Sequence, residues 1–219
     1  MKIYAINGSP RKNKTTAALC EKFLEGAASA GEWVQTKLVH VTDLHFSGCL
    51  SCYGCKRRTG NGYGKCAIPD DLYGLLDDLL MADGLLFASP IYFGNITGKM
   101  RCFLERLLFP LGTFEDGYRT IAPKRMPIAM LYTMMVSEEG MRDSGYDHAL
   151  AIMERNVEYV FSRPLVLYAW GCPPVEKLSD YKIQIYSEAE ISQFAESQSS
   201  IYCQNAYEAG KKMAAANSF

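Results

Sequence analysis

Hydrophobic positions along this chain follow two different periods, one typical of strands and one typical of helices. Residues 34–41 alternate apolar with polar side chains, and 84–88 form a continuous apolar run, as expected of a strand buried on both faces of a parallel sheet. Leu19, Phe23 and Ala27 instead recur every four residues, which is the spacing of one helix face. These patterns predict strands at 2–6, 34–41, 84–88, 127–132 and 165–168. They predict helices around 19–27, 70–80, 100–108, 146–161 and 201–216.

The predicted strands and helices alternate along the chain. This order indicates a doubly wound α/β fold, in which right-handed crossovers place helices on both faces of a five-stranded parallel sheet. We therefore expect a three-layer α/β/α sandwich, formed by a single domain over residues 1–219. Two segments lie outside the pattern: a glycine- and cysteine-rich loop at about 47–69, and a polar excursion at about 171–200 that we interpret as a subunit-packing arm. Asp70 and Asp71 are expected to open the second helix, where acidic side chains offset the helix dipole.

Composition narrows the range of partners. The chain has 219 residues, 48% of them hydrophobic, and its 23 basic and 24 acidic residues give a formal net charge of −1. Such a chain has no global field that favours nucleic acid or an anionic membrane, and the cluster Lys56, Arg57, Arg58 is expected to be a solvated loop. The first residues place charge and a turn where a secretion signal needs an apolar run, and no apolar stretch approaches the roughly 20 residues that span a bilayer. We expect a cytoplasmic protein whose eight cysteines are thiols or metal ligands.

The junction between the first predicted strand and the first predicted helix, GSPRKNKTT, is rich in hydrogen-bond donors. Anions bind at such a junction because the free N–H groups at the helix start, together with the helix dipole, point at the strand ends. Ser9, Thr15 and Thr16 add hydroxyl groups and Arg11 adds a positive charge, so we predict a phosphate site. The simpler interpretation is a helix cap by Asn13 or Thr15.

A nucleotide-hydrolysing P-loop is the second candidate for this junction. From Gly8 to Thr15 the sequence matches G-x-x-x-x-G-K-[ST] except that Asn13 stands at the second glycine. That glycine lets the backbone wrap closely around a polyphosphate, whereas an asparagine brings a side chain into the space. Pro10 also removes one N–H donor, and no aspartate suited to hold a metal ends the third predicted strand. Nucleotide hydrolysis therefore ranks below binding of a single phosphate group.

The segment SPIYFGNITGK follows the third predicted strand, at the same sheet edge as the first loop. It brings Tyr92, Phe93, Gly94 and Asn95 to a place where a flat aromatic cofactor would find backbone N–H groups for its polar edge and apolar side chains for its rings. Taken alone, the two aromatic residues are equally compatible with a cap over the core.

Together, GSPRKNKTT and SPIYFGNITGKMRCFLERL resemble the NADPH-dependent FMN reductase and iron–sulfur flavoprotein group of flavodoxin-like proteins, over roughly the first 135 residues. The resemblance implies a flavodoxin-like sheet of order 2-1-3-4-5 and a bound FMN, with the phosphate in the first loop and the isoalloxazine ring along the second. It also implies a third contact loop near Thr133 and Met134. The implied FMN-binding residues are Ser9, Arg11, Asn13, Thr15, Thr16, Pro90, Ile91, Tyr92, Phe93, Gly94, Asn95 and Thr133.

The resemblance further implies an NAD(P)H-dependent oxidoreductase that reduces a quinone, a free flavin or another electron acceptor. The flavin carries the chemistry in such enzymes, so no catalytic side chain is predicted. The alternative is an FMN electron carrier without its own substrate. Such carriers are usually strongly acidic for docking, and a net charge of −1 argues against this alternative. Related flavin proteins are often oligomers, so we expect a homodimer or homotetramer, with a small-molecule acceptor or a redox protein as partner.

The loop at 47–69 contains the run Cys49, Cys52 and Cys55, followed after ten residues by Cys66. Spacings of two residues let successive thiolates face one cluster, as in bacterial ferredoxins. Iron–sulfur flavoproteins carry a compact four-cysteine motif in the same place, so the resemblance implies a [4Fe–4S] cluster. A structural zinc site and a loop of free thiols are the other two interpretations, and all three stay open at this stage.

Overall fold

The computed structural model describes residues 1–60, 62–115 and 117–216 of the chain. Within them, a parallel sheet is flanked by helices on both faces. The strands are β1 (Lys2–Asn7), β2 (Gln35–His40), β3 (Gly84–Tyr92), β4 (Asn95–Ile96), β5 (Ile128–Thr133) and β6 (Leu165–Ala169). The helices are α1 (Thr15–Ala28), α2 (Leu75–Leu80), α3 (Gly98–Leu108), α4 (Glu138–Asp143), α5 (Tyr146–Val160), α6 (Glu188–Gln193) and α7 (Ser199–Ala216).

The strand order is β2-β1-β3-β5-β6, and each of these pairings is parallel. Counted over the parallel strands alone, this is the predicted order 2-1-3-4-5, so the doubly wound flavodoxin-like fold is confirmed. The additional strand β4, which the sequence pattern does not predict, pairs antiparallel with the end of β3.

Strand β3 continues to Tyr92 instead of ending at Ala88 as predicted. Its pairing with β1 stops at Ala88, whereas its pairing with β5 continues as far as Pro90. Pro90 has no N–H to donate and is accommodated because the side of β3 that faces β1 is already open at that point. The extension carries the second loop further out from the sheet edge.

The second helix begins at Leu75, so the prediction that Asp70 and Asp71 open it is wrong. Gly74 has a φ of +84° and interrupts the backbone, so α2 starts at Leu75. The preceding residues form a turn in which the Tyr73 N–H donates to the carbonyl of Asp70 at 2.8 Å. The apolar stripe itself is correctly predicted, because the side chains at 72, 76 and 79 are buried.

The sheet separates two hydrophobic cores. Successive residues of β1 point to opposite faces, so Tyr4 and Ile6 pack in the core beneath α2, α3 and α5. Ile3 and Ala5 pack instead in the core beneath α1 and α7. These two cores make the predicted three-layer arrangement.

The segment at about 171–200, which we call the arm, contains more regular structure than its polar sequence predicts. It includes a short turn of helix at Leu178–Asp180, the helix α6 and a π-helical turn at Phe194–Gln198 that leads into α7. Ser187 caps α6, because its hydroxyl accepts from the Glu190 N–H while the Glu190 carboxylate accepts from the Ser187 N–H. In this single chain the arm folds back onto the C-terminal edge of the sheet. Among the described helices, none has both the length and the hydropathy required of a membrane span.

Candidate functional site

The carboxyl ends of four parallel strands lie side by side and place three loops next to one another. Asn7 at the end of β1 pairs with Ala88 of β3. Further out, Pro90 of β3 pairs with Thr133 at the end of β5, which in turn pairs with Ala169. In doubly wound folds ligands bind in the crevice at this edge, where the strand order reverses direction.

The first loop is anchored by Asn7, whose side chain is fully buried. Its Oδ1 accepts the Ser9 N–H at 2.9 Å, and its Nδ2 lies 2.9 Å from Nδ1 of His40 at the end of β2. Since the first bond fixes Nδ2 as the amide donor, Nδ1 of His40 is the acceptor. Ser9 makes the same kind of bond two residues further along the chain, because its Oγ accepts the Arg11 N–H at 3.1 Å. The loop is thus held by side chains beneath it, and its outer side stays open.

The start of α1 has no side-chain cap, so the simpler interpretation of a cap by Asn13 or Thr15 is wrong. Lys14 stands at the N-cap position with extended backbone, and no side-chain hydrogen bond closes the helix end. The first N–H groups of an α-helix have no partner within the helix, so this end presents free donors and the positive end of the dipole. At the second residue of the helix, Thr16 is buried, and its hydroxyl lies 2.8 Å from the hydroxyl of Thr133. That bond ties the helix start to the end of β5.

A cavity of about 320 Å³ opens beside this helix end. Arg11, Asn13 and Thr15, three of the residues predicted for phosphate binding, line one side of it. The arm closes the other side with Pro174 and Glu176. Ser9 and Thr16 lie beneath the loop with almost no exposed surface, so they support the site from below.

Three cations of the first loop all have partners. The Arg11 guanidinium donates to the carbonyl of Pro174, and Lys14 pairs with the carboxylate of Glu176. Lys12 pairs with Asp43, in the turn that follows β2. Two of the three cations are therefore held by the arm, which the sequence pattern alone does not predict.

The second loop is a two-residue turn between β3 and β4. Tyr92 pairs with Asn95, so Phe93 and Gly94 form the turn, with φ values of +51° and +75°. Both central residues of a tight hairpin of this kind need positive φ, which is unfavourable for phenylalanine. The Phe93 side chain is fully exposed and Tyr92 is 47% exposed. Gly94 packs against Tyr146, since a Cβ at this glycine would lie 2.9 Å from that ring.

Buried hydroxyl groups join the second loop to the first. The Thr97 hydroxyl donates to the carbonyl of Gly8 at 2.9 Å, and the Thr97 N–H donates to Oγ of Ser89 at 3.0 Å. Thr97 Oγ1 also accepts the Met100 N–H at 3.3 Å and so caps α3. Sequence reasoning missed this residue, although a threonine three positions before an apolar helical stripe is a recognisable cap signal.

The third loop, which follows β5, is held by β6 and by the arm. The Met134 N–H donates to the Ala169 carbonyl at 3.0 Å, and the Cys172 N–H donates to the Met134 carbonyl at 2.8 Å. The Tyr186 hydroxyl of the arm donates to the carbonyl of Met135. The arm therefore touches both the first and the third loop.

The four cysteines of the loop at 47–69 surround one small cavity, but they do not form a metal site in this conformation. The cavity between the cysteines has a volume of about 10 Å³, which is the space of a single water. Among the described residues, no group of three or more histidine, cysteine or acidic side chains is arranged to hold a metal. All cysteines are free thiols. Burial raises the pKa of the Cys55 thiol, and the opposing effect of the nearby Lys56 ammonium is not enough to cancel it.

One cation of this loop, Lys56, holds it against the end of α3. The ammonium of Lys56 donates to the carbonyls of Phe109 and Pro110 at 2.7 and 2.9 Å, and also to that of Gly112. The expectation of a solvated cluster is therefore wrong for Lys56, because these carbonyls at the helix end take up its charge. Arg57 and Arg58 are exposed as expected.

Comparison with known proteins supplies a family. Residues 1–146 match a family described as NADPH-dependent FMN reductase. An iron–sulfur flavoprotein of Methanocaldococcus jannaschii is 32% identical over 48% of this chain and 51% of its own length. An iron–sulfur flavoprotein of Archaeoglobus fulgidus is 29% identical over 68% of this chain and 64% of its own length. The chain thus spans about half to two thirds of these relatives.

Solved structures support the fold along the whole chain. An NAD(P)H:quinone oxidoreductase from Methanothermobacter marburgensis superimposes with a TM-score of 0.73, covering 97% of this chain and 98% of the other. The sequence identity is 15%, so this similarity is one of fold.

Proposed function

This chain belongs to the NADPH-dependent FMN reductase family, and on that premise we propose that it binds FMN at the C-terminal edge of the sheet and reduces a quinone, flavin or other small acceptor with NAD(P)H. The observation that carries the proposal is the juxtaposition of two loops there. An uncapped helix end lined with cations lies beside a strained aromatic turn, and Thr97 bonds the second loop to the first.

The residues at the first loop suit a phosphate monoester. The free N–H groups at the start of α1 would donate to its oxygens, and Arg11, Asn13 and Thr15 line the adjoining cavity. Asn7 and Ser9 would fix the backbone of the loop, so that these donors are aimed before the phosphate arrives.

The residues at the second loop suit the flavin ring. The Phe93 side chain has no cover in this chain and presents an aromatic face at the sheet edge. The loop backbone beside Gly94 can approach a ring closely because no side chain intervenes. FMN bound there supplies hydride and electron transfer between the nicotinamide and the acceptor. The role of the protein is to position the ring, exclude water from one face and leave the other accessible.

Flavin binding tests the proposal directly. Apoprotein is titrated with FMN and with riboflavin, which lacks the phosphate. We expect Arg11→Met to weaken the binding of FMN and to leave the affinity for riboflavin unchanged. Lys22→Met, which removes a charge of α1 paired with Glu25, should change neither affinity. The loaded protein should then lose its flavin absorbance on addition of NADPH or NADH in stopped flow. A protein that stays colourless with excess FMN would refute the proposal.

Turnover separates a reductase from the alternative, an electron carrier without its own substrate. A reductase consumes many equivalents of NAD(P)H when a quinone is present, whereas a carrier consumes one equivalent per flavin and then stops. The net charge of −1 supports the reductase, because docking carriers are usually strongly acidic.

The cysteine loop is a separate question for this protein. Four thiols around one cavity are the correct donors for a [4Fe–4S] cluster, and several relatives are named iron–sulfur flavoproteins. A cavity of about 10 Å³ does not fit a cluster, so the thiols would have to move apart to bind one, and no step of the proposed reaction passes through it. Iron and acid-labile sulfide measured in protein purified without air decide between a cluster, zinc and free thiols.

A further inference from the structure

The arm places a carboxylate in the cavity that adjoins the start of α1, where the proposed function puts the flavin phosphate. Glu176 lines this cavity together with Arg11, Asn13 and Thr15. Its carboxylate pairs with Lys14, which stands at the N-cap position of α1. The arm lies outside the residues that match the family, which end at 146, so this contact belongs to the part of the chain that the family match does not describe.

The Lys14 ammonium cannot form a close ion pair with the Glu176 carboxylate and with a phosphate at the same time. With Glu176 as its partner, its ammonium is held on the arm side of the cavity. A phosphate at the start of α1 attracts the same ammonium, and the negative charge of Glu176 repels that phosphate. The pair is weak enough to exchange, because the side chain of Glu176 is 82% exposed and that of Lys14 is 38% exposed.

The other cations of the loop do not remove this competition. Lys12 is directed away to Asp43. The Arg11 guanidinium donates to a neutral carbonyl of the arm, which leaves it free of any carboxylate among the described contacts. Lys14 is thus the loop cation whose acidic partner faces the phosphate cavity.

We propose that Glu176 is an internal competitor of the flavin phosphate: its carboxylate pairs with Lys14, and FMN must displace it from that pair to bind. This inference rests on the proposed function and adds a determinant of affinity to it. Glu176 therefore makes the cofactor easier to release, and it acts only on ligands that carry the phosphate.

The test is a binding cycle with four proteins: wild type, Glu176→Gln, Lys14→Met and the double variant. Each is titrated with FMN and with riboflavin. We expect Glu176→Gln to bind FMN about two- to fivefold more tightly than wild type, as fits an exposed ion pair, and to bind riboflavin with unchanged affinity. In the Lys14→Met background no cation is freed and only the repulsion between Glu176 and the phosphate remains, so the same substitution should have a smaller effect; an effect as large as in wild type would show that Glu176 does not act through Lys14.

Asp180→Asn is the matched control, since it removes one negative charge from the same arm at a residue that faces Lys177 of the arm itself. It should leave FMN affinity unchanged. Weaker or unchanged FMN binding by Glu176→Gln, an equal change with riboflavin, or an equal change in Asp180→Asn would overturn the inference while the proposed function stands. No FMN binding by any of the proteins would instead remove the proposed function, and the inference with it.

Discussion

At the scale of single residues, Arg106 has the largest structural role outside the candidate site. Its side chain is almost fully buried in α3. The guanidinium binds both carboxylate oxygens of Asp70 at 2.7 and 2.9 Å, and donates to Sγ of Cys66 at 2.9 Å and to the Ser47 carbonyl at 3.0 Å. One side chain thus fixes the two ends of the cysteine loop to the helix.

Loss of this guanidinium should destabilise the protein strongly. Arg106→Met leaves the carboxylate of Asp70, which is only 16% exposed, without its cation, and we expect the free energy of unfolding to fall by about 3 kcal/mol. Urea denaturation measures the change. Arg101→Met, which removes an exposed pair on the same helix, should change it by less than about 0.5 kcal/mol. Similar effects of the two variants would contradict this role of Arg106.

The same pair should make stability depend on pH. Burial raises the pKa of Asp70, but hydrogen bonds and charge from Arg106 outweigh it, so the pKa lies below its ordinary 3.8. A depressed pKa in the folded state contributes stability above the unfolded value, and that contribution disappears as pH falls through the folded value. The difference in unfolding free energy between wild type and Asp70→Asn should therefore have its maximum value at pH 7 and decrease below about pH 4. A difference that is constant from pH 7 to pH 3 would contradict it.

At the scale of elements, the β3–β4 hairpin combines local strain with exposure. Phenylalanine in the left-handed region costs about 1–2 kcal/mol, and in this chain alone no packing of the exposed ring offsets that cost. Residues held in this way cluster at ligand sites, where the strain keeps a side chain in position for a ligand.

Two substitutions at Phe93 separate strain from ligand contact. Phe93→Asn should raise stability by about 0.5–1 kcal/mol, because asparagine tolerates the left-handed region. Phe93→Leu keeps the strain and should leave stability unchanged. Both variants lose the aromatic face, so we expect the FMN affinity of both to fall roughly two- to tenfold. Thermal unfolding and flavin titration provide the two measurements, and full FMN affinity in both variants would remove Phe93 from the site.

At the scale of the whole molecule, the C-terminal helix closes the fold against the first helix. α1 and α7 approach so closely that a Cβ at Gly210 would lie 1.8 Å from the Phe23 carbonyl oxygen, and one at Gly26 would lie 1.9 Å from that of Tyr207. The contact joins α7 to the helix that starts at the first loop. Glycine is required at both positions because backbone meets backbone.

This contact gives a whole-molecule prediction. Gly210→Ala should force the helices apart and lower the unfolding free energy by about 1–3 kcal/mol or more. Gly98→Ala, at a helix position with nothing within 4 Å of the new methyl group, should be neutral or up to about 1 kcal/mol more stable. Thermal melting of the two variants checks the contrast. Equal melting temperatures would show that α7 does not need this approach.

The sequence predicts the elements well and their ends less well. Strand and helix periods depend on the polarity of neighbouring residues, so the alternation of elements and both layers of helices follow from the pattern. The strand order 2-1-3-4-5 is implied by the family resemblance and not by the pattern. The error at Asp70 has a local and a tertiary cause, because Gly74 interrupts the helix with a positive φ and the Asp70 carboxylate is held by an arginine 36 positions away. The missed strand β4 depends on a turn with positive φ at phenylalanine, which local preference disfavours.

Some residues of the candidate site can be predicted from the sequence, and others only from the fold. Ser9, Arg11 and Phe93 can be chosen from local motifs, because each motif lies directly after a strand end. His40 and Glu176 cannot, since their importance comes from contacts with residues distant in sequence. Thr97 is recognisable locally as a helix cap, but its bond to Gly8 is not.

The sequence by itself determined the alternation of strands and helices, the two loops at the sheet edge and the clustering of the cysteines, since each depends on residues close together in the chain. The tertiary structure alone decided that the arm contacts the first loop, that Arg106 anchors the cysteine loop and that α1 meets α7 through glycine. The physical reason is distance along the chain: a charge or a backbone contact between remote segments leaves no periodic trace in either segment, and it exists only once the sheet has brought them together.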